Sequence, residues 1–239
     1  MKSRIKQRFS GTIGQEYTFF ENAFPHVWPL QKTIAKEIAK AIPKNAKEFR
    51  ILELGCGPGP TTIELLKADK RIRITAIDNE PTMIKQAKKF LQNYENRVKL
   101  VLVDALEFLK KSKNESFNAV ATGWMLHNFP QKARQEAHKE IFRVIKKNGA
   151  FVNGDKIAEE NKENHKAALE WSLKRFRSEA KKFGKPELGE EWVKHMIRDE
   201  KPDLIMREAK TKKQLVNLGF SKVQIVWRQH LEAVITARK

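Results

Sequence analysis

Short apolar runs alternate with segments of helical periodicity through the middle of the chain. The runs have the length of buried strands and lie at 50–54, 73–77, 99–103, 117–122 and 149–153. Between them, apolar residues recur every three or four positions, as at Met83, Ala87 and Leu91, which is typical of amphipathic helices. Strands that are apolar on both faces and alternate with helices predict an α/β protein with a largely parallel sheet.

The most informative segment is ILELGCGPGPTT at residues 51–62, where an apolar run enters a turn with three glycines. The next run ends at Asp78, which lies 23 positions after Gly55. Gly55 and Gly57 have no Cβ, so the backbone can take unusual dihedral angles and approach a ligand closely. A strand, a glycine turn, a helix and a second strand ending in an acid predict the mononucleotide-binding half of a Rossmann-type fold.

Two residues argue against a dinucleotide as the ligand. A dinucleotide site has the spacing G-x-G-x-x-G, but Pro60 occupies the position of its third glycine. Glu53 stands two residues before the first glycine, where a carboxylate would repel a pyrophosphate. The same carboxylate would attract a cationic group such as an amine or a sulfonium.

These motifs resemble those of the class I S-adenosylmethionine-dependent methyltransferases. The first motif is matched by Glu53 and the glycine turn, the second by Asp78, the third by Asp104 after an apolar run, and the fourth by residues 117–127. The resemblance is firm over 48–155 and looser over 208–239. It implies an α/β fold with a Rossmann-like seven-stranded sheet, mostly parallel with an antiparallel C-terminal strand, helices on both faces, and a helical cap.

The pattern divides the chain into four segments. They are an N-terminal helical segment at 1–47, a cofactor-binding Rossmann-like core at 48–155, a helical cap insertion at 156–206, and a C-terminal helix and strand hairpin at 207–239 that completes the sheet. In the first segment, Ile34, Ile38 and Ile42 predict one helix face, and Pro43 closes the helix. The resemblance allows this segment to lie across the cofactor pocket, and packing at the sheet edge is an equal alternative.

The resemblance also implies which residues bind S-adenosylmethionine. The glycine turn would line the methionine and ribose, Glu53 would lie near the amino group, and Asp78 would accept from the ribose hydroxyls. Asp104 would accept from the adenine amino group, although Glu107 three residues later makes a helix N-cap an alternative role. The predicted cofactor-binding residues are Glu53, Gly55, Cys56, Gly57, Gly59, Asp78, Asn79, Met83, Asp104, Ala105 and Thr122.

The methyl group would face the end of the fourth strand. Trp124 and Tyr17 are the predicted substrate-binding residues, and Trp124 could equally be a core aromatic. His127 is the predicted catalytic base, since a neutral imidazole can take a proton near pH 7. A local hydrogen bond at a strand-to-helix junction is the alternative role for this histidine. Direct displacement at the sulfonium methyl depends mainly on alignment.

Composition adds limits. The net charge of +19 is spread along all 239 residues, so it indicates a solvated surface that also attracts polyanions. The single cysteine excludes a disulfide framework. The six histidines show no ligand spacing, so we expect no metal site. With no apolar run long enough for a bilayer and no secretory signal pattern, we expect a cytoplasmic protein without a membrane partner; its oligomeric state is open.

We therefore predict a methyltransferase with S-adenosylmethionine as cofactor and a small molecule as acceptor. The alternative is a tRNA-modifying transferase that uses S-adenosylmethionine or a derivative at a wobble uridine, which a salt-sensitive affinity for tRNA would favour. A cofactor-binding regulator without turnover and a nicotinamide oxidoreductase are further alternatives. Binding without methyl transfer would favour the regulator, and binding of NAD in place of S-adenosylmethionine would favour the oxidoreductase.

Overall fold

The computed structural model describes Phe19, Phe24 and residues 26–239, in which helices and strands alternate as the apolar pattern predicts. The helices are α1 (Val27–Ala39), α2 (Pro60–Ala68), α3 (Pro81–Phe90), α4 (Ala105–Lys111), α5 (Gln131–Val144), α6 (Lys162–Lys182), α7 (Pro186–Asp199) and α8 (Glu208–Asn217). The strands are β1 (Phe49–Leu54), β2 (Ile72–Asp78), β3 (Val98–Leu102), β4 (Phe117–Gly123), β5 (Ile145–Lys156), β6 (Ser221–Gln229) and β7 (Glu232–Arg238).

The strands form one seven-stranded sheet in the order β3-β2-β1-β4-β5-β7-β6. Strands β1 to β5 pair in parallel, and β7 runs antiparallel to both β5 and β6. The predicted fold class is therefore confirmed. The order reverses between β1 and β4, and open α/β sheets bind ligands beside such a point, at the carboxyl ends of the strands.

Two apolar layers cover the sheet. On one face, α1, α2 and α3 bury residues such as Leu30, Ile34 and Leu65 against the inner strands. On the other face, α4, α5 and α8 bury residues such as Leu109 and Ile141. Each helix contributes one apolar stripe, which is the arrangement that a doubly covered parallel sheet requires.

Helix α1 packs on the face of the sheet over β4, β5 and β7, so packing at the sheet edge is not what the structure shows. The close approach depends on Gly154 in β5, since a Cβ there would lie 2.6 Å from Ile34 and 2.7 Å from Leu30. The buried face of α1 includes Ile34 and Ile38, as predicted, but the helix ends at Ala39, so the prediction that Ile42 continues this face is wrong. Gln31 on the same helix reaches the ligand cleft described below.

Helices α6 and α7 occupy the segment that the sequence assigns to a cap. They pack with Phe19, Phe24, Val27 and Leu231 into a separate apolar cluster around Phe176 and other cap residues. Phe176 stacks on Trp192 with ring centroids 5.2 Å apart. Among the described residues, no helix combines the length and the apolar character needed to cross a bilayer.

The boundary between α5 and β5 differs from the prediction. The pattern predicts a helix to about Lys146 that ends at Asn148-Gly149, but α5 ends at Val144 and Ile145 already begins β5. Ile145 pairs with Phe117, and the register then shifts before Ala150 pairs with Ala119. Asn148 has a φ of 62° within this irregular part of the strand, so the Asn-Gly signal marks a bulge rather than a helix end.

Candidate active site

A cleft opens at the carboxyl ends of the parallel strands, where the strand order reverses. It measures about 1160 Å³ including its open mouth. Its walls come from the loops after β1, β2, β3 and β4, from Gln31 of α1 and from three residues of α7. A ligand in this cleft would touch the sheet on one side and the cap on the other.

The glycine turn forms part of the cleft wall, with φ of 65° at Gly55 and 53° at Gly57. A Cβ at Gly55 would collide with the side chain of Met125, whereas a Cβ at Gly57 would meet nothing within 4 Å. Gly57 therefore presents bare backbone to the cleft. Cys56 between them is 2% exposed, and burial raises the pKa of its thiol well above the usual range, which suits packing rather than nucleophilic attack.

Asp78 lies at the end of β2 and borders the cleft. Its Oδ2 accepts a hydrogen bond of 2.9 Å from the Gly57 amide, and its Oδ1 accepts one of 2.9 Å from the Glu80 amide. Burial raises the pKa of Asp78 above its ordinary value, and these amides oppose the rise. The two bonds fix the carboxylate against the glycine turn, with lone pairs remaining for a ligand's hydroxyl groups.

The predicted adenine-binding residues also lie along the cleft. Asn79, Met83, Asp104 and Ala105 all belong to its lining. Asp104 is the N-cap of α4, where its Oδ1 accepts a 3.0 Å hydrogen bond from the Glu107 amide. The capping role is thus present, and the carboxylate still borders the cleft, so the structure accommodates both roles that the sequence left open.

Three predicted cofactor residues lie outside the cleft lining. Glu53 and Thr122 are fully buried in neighbouring strands, and Gly59 is the N-cap residue of α2. The Glu53 Oε2 accepts a 2.7 Å hydrogen bond from the Thr62 hydroxyl. Burial raises the pKa of Glu53 to about 8, against the opposing effect of Thr62 and with a smaller contribution from Asp78. Glu53 therefore keeps its proton at pH 7 and does not supply the negative charge that the sequence predicts beside a cationic group. Direct contact of these three residues with a cofactor stays a prediction.

The end of the cleft that follows β4 contains Trp124 and His127. Trp124 has a φ of 59° and packs against the main core and the cap while also bordering the cleft. It therefore combines the wall and core roles that the sequence left equal. The other predicted substrate residue, Tyr17, lies outside the described residues.

His127 is held by Asp155 at the end of β5. Its Nδ1 lies 2.5 Å from Asp155 Oδ1, and its backbone amide donates to Asp155 Oδ2 at 3.2 Å. Asp155 is fully buried, and the His127 side chain is 8% exposed. A carboxylate on one ring nitrogen favours the tautomer whose other nitrogen, Nε2, carries a lone pair. The local hydrogen bond expected as an alternative is present, and it orients the ring rather than withdrawing it from the cleft.

Sequence reasoning missed the charged residues that α7 brings to this end. His195 Nε2 lies 3.5 Å from Asp199 Oδ2, and His127 Nε2 lies 3.8 Å from the same oxygen. The sequence contained part of the signal, because His195 and Asp199 are four residues apart on an amphipathic helix. The histidines look scattered in the sequence, but the packing of α7 brings His195 and Asp199 beside His127, with one nitrogen or oxygen of each side chain within 4.8 Å of the others.

Lys156 completes the cluster from the end of β5. Its Nζ lies 2.9 Å from Glu200 Oε1, 4.0 Å from Asp199 Oδ2, and donates to the Met196 carbonyl at 3.1 Å. Burial opposes ionisation of Glu200, but a hydrogen bond with His165 and the charge of Lys156 outweigh it and lower the pKa of Glu200 to about 2. Glu200 is therefore a carboxylate at neutral pH.

Comparisons with known proteins agree with this architecture. A family model described as a methyltransferase domain matches residues 51–149. A carboxy-S-adenosyl-L-methionine synthase from Nautilia profundicola is 26% identical over 191 residues, which cover 80% of this chain and 77% of the relative. A demethylmenaquinone methyltransferase from Leptospira interrogans is 30% identical over 129 residues, with 53% of this chain and 51% of the relative covered.

Among solved structures, human N-acetylserotonin methyltransferase in complex with S-adenosylmethionine has a similar fold. The TM-score is 0.59 at 16% identity, and the match covers 86% of this chain and 51% of the human one. This chain thus spans about half the length of that protein and of the Leptospira relative. The family model covers the glycine turn, Asp78 and Asp104, all of which contribute to the cleft.

Proposed function

We propose that this chain, a class I S-adenosylmethionine-dependent methyltransferase, transfers a methyl group from S-adenosylmethionine to a small-molecule acceptor. The observation that carries the proposal is the position of Asp78. Its carboxylate is fixed by two backbone amides beside a turn whose glycines leave the cleft open. A bound nucleoside needs both features: the Asp78 oxygens accept hydrogen bonds from the ribose hydroxyls, and the glycine backbone leaves room for the group attached to the ribose.

The lining of the cleft supports one orientation of the cofactor. Asn79, Met83 and Asp104 offer an apolar and polar surface for adenine on one side of Asp78. On the other side, Gly55 and Gly57 lead toward the end of β4, where the methionine part and its sulfonium would lie. In this orientation the transferable methyl group points to Trp124 and the cap.

The aromatic lining of the acceptor end, the part of the cleft beside Trp124 and His127, supports a small substrate. Trp192 and Met196 of α7 face the cleft together with Trp124 and Phe129. Pockets for small molecules are typically lined by apolar and aromatic side chains with a few convergent polar groups, and here His127, His195 and Lys156 supply those groups. A protein or nucleic-acid acceptor would have to insert a single residue or base into the cleft beneath the cap.

The transfer requires only an aligned acceptor and a route for its proton. An acceptor oxygen or nitrogen forms the new bond to the methyl carbon while the carbon–sulfur bond breaks and its electron pair stays on sulfur. The products are the methylated acceptor and the demethylated cofactor, and a hydroxyl acceptor also loses a proton. The Nε2 of His127 can take that proton, since Asp155 on Nδ1 stabilises the resulting imidazolium.

The first experiment measures cofactor affinity by calorimetry. The wild-type chain should bind both S-adenosylmethionine and its demethylated product. Asp78→Asn should weaken binding at least tenfold, because a hydrogen bond to a charged group contributes about 1.5–3 kcal/mol and the new amide group opposes the amide of Gly57 or Glu80. Asp203→Asn, at an exposed position outside the cleft, is the matched control and should bind normally. Equal affinity in both variants contradicts the cofactor pose.

The second experiment identifies the product. Purified chain and S-adenosylmethionine carrying a labelled methyl group are incubated with pools of small metabolites and with bulk tRNA, and mass spectrometry follows both label and cofactor. Label in a small molecule, with release of demethylated cofactor, is the expected outcome. Label in tRNA would favour the alternative of a tRNA-modifying transferase.

The similarity to the carboxy-S-adenosyl-L-methionine synthase, which covers 80% of this chain, supports a second candidate function. In that case S-adenosylmethionine is itself the molecule that is modified, and no acceptor carries the methyl label. A carboxylated form of S-adenosylmethionine would then appear in the same mass spectra, given a suitable carboxylate donor in the metabolite pool. The two functions share the cofactor site and differ only in which product forms.

A further inference from the structure

We propose that His127, His195 and Asp199 bind a divalent first-row transition-metal ion at the acceptor end of the cleft. One nitrogen or oxygen of each side chain can be chosen so that all three atoms lie within 4.8 Å of one another, and all three residues are buried. Asp199 Oδ2 lies 3.8 Å from His127 Nε2 and 3.5 Å from His195 Nε2. Ligands at ~2.0–2.2 Å from zinc lie roughly 3–3.5 Å apart at tetrahedral or square angles, so each imidazole needs to approach Asp199 by at most a few tenths of an ångström, and the two imidazoles, whose ligand atoms lie within 4.8 Å of each other, must also turn toward each other.

A second observation points to the same use of His127. Metal-binding histidines generally donate their other ring N–H to a carboxylate, which fixes the ring and strengthens the ligand. Asp155 is in that position, 2.5 Å from His127 Nδ1. Asp155 is fixed in turn by the backbone amides of His127 and Lys156, at 3.2 and 2.9 Å. These contacts hold the His127 ring in place, with Nε2 3.8 Å from Asp199 Oδ2.

The local charge also favours a cation. Asp155, Asp199 and Glu200 contribute three carboxylates to the cluster, and Lys156 contributes one positive charge that lies closer to Glu200 than to Asp199. The Asp199 side chain is 2% exposed and faces two imidazole rings. Lys156 Nζ lies 4.0 Å from Asp199 Oδ2, and a cation held between Asp199 and the two imidazoles would add a positive charge at closer range, where the attraction to a buried carboxylate is stronger.

The donor set indicates which ion. Two imidazole nitrogens and one carboxylate oxygen suit zinc, iron, cobalt, nickel or manganese, whereas magnesium and calcium prefer oxygen ligands. Three protein ligands leave coordination positions for water or substrate, as in catalytic zinc sites. His127 and His195 both border the cleft, so those positions would face the acceptor.

The role of the ion rests on the proposed methyl transfer. A metal ion lowers the pKa of a bound hydroxyl group, so it would prepare an oxygen acceptor for attack on the methyl carbon. The released proton passes to solvent, and His127 acts as a ligand rather than as the base. The substrate class that this site favours is therefore a small molecule with a hydroxyl or enol oxygen.

The test starts with the full chain after treatment with a chelator. Zinc sulfate is titrated by calorimetry, and cobalt chloride is titrated by absorbance. We expect one ion per chain, a cobalt spectrum of low coordination number, and no competition from magnesium. His195→Ala and Asp199→Asn should each weaken zinc binding by more than tenfold. His230→Gln is the matched control, because His230 lies outside the cleft and stacks on Trp171; it should keep wild-type affinity.

Two further measurements keep the test decisive. If a variant melts much earlier than the wild type, NMR of the cobalt-bound wild type reports ligation directly, because the coordinated histidine ring protons shift strongly. Zinc affinity that is absent, or equal in all variants, overturns the metal site. S-adenosylmethionine affinity is measured on the same samples, so loss of the metal site alone is distinguishable from failure of the proposed methyltransferase function. A wild type that binds the cofactor but no zinc would leave His127 as the base.

Discussion

Glu53→Gln tests the claim that the buried carboxyl group of Glu53 is uncharged in the folded chain at neutral pH. Glu53 is fully buried in β1, and burial raises its pKa from 4.5 to about 8. Because the pKa is higher in the folded chain than in the unfolded chain, the folded chain retains a proton over the range in which the unfolded chain has released it. Stability should therefore decrease as pH rises from 4.5 toward 8 and level off above that.

The pKa values give the size of the effect. Each pKa unit corresponds to about 1.4 kcal/mol, and pH 7 lies about 2.5 units above the unfolded pKa, so the cost at pH 7 is ~3 kcal/mol. Glutamine has no such cost. It preserves the shape of the side chain and can still accept the hydrogen bond that Thr62 donates to Glu53. The variant should therefore be more stable than the wild type at pH 7 and close to it at pH 5.

The assay is urea unfolding of both proteins at pH 5, 6, 7 and 8, with the free energy of unfolding compared at each pH. The expected result is a difference that grows by about 1.4 kcal/mol for each pH unit. Glu95→Gln, at an exposed position, is the control and should leave the pH dependence unchanged. Parallel curves for wild type and Glu53→Gln would refute the reasoning, because they would mean that Glu53 is ionised in the folded chain at pH 5 already.

Two further predictions concern buried positions away from the cleft. His138 is fully buried, and burial lowers its pKa from 6.5 to about 4. Between pH 7 and pH 4, the free energy of unfolding of the wild type should therefore fall by ~3 kcal/mol relative to that of His138→Gln, as measured by urea unfolding. If the difference between the two proteins does not change with pH, the imidazole takes up its proton freely in the folded chain. Gly154→Ala places a Cβ 2.6 Å from Ile34, and overpacking of this kind costs roughly 1–3 kcal/mol. A thermal midpoint equal to that of the wild type would contradict the close packing of α1 on β5.

The sequence alone determined the part of the site that local spacing encodes. A glycine turn needs particular residues at fixed separations, and a strand that ends in an acid places that acid at the edge of the sheet. The turn at Gly55 and Gly57 and the cleft positions of Asp78 and Asp104 were therefore predictable. The parallel core was predictable for the same reason, since strands buried on both faces are apolar throughout.

Only the tertiary structure decided which charged side chains share the acceptor end. His127, Asp155 and Asp199 lie on three different elements, and they meet because α7 lies against Lys156 at the end of β5 and against His127 in the segment after β4. Burial likewise set the state of Glu53, whose pKa depends on the protein around it rather than on its neighbours in sequence. Local patterns specify turns and apolar faces, whereas contacts between distant segments and the solvent they exclude arise only when the chain is packed.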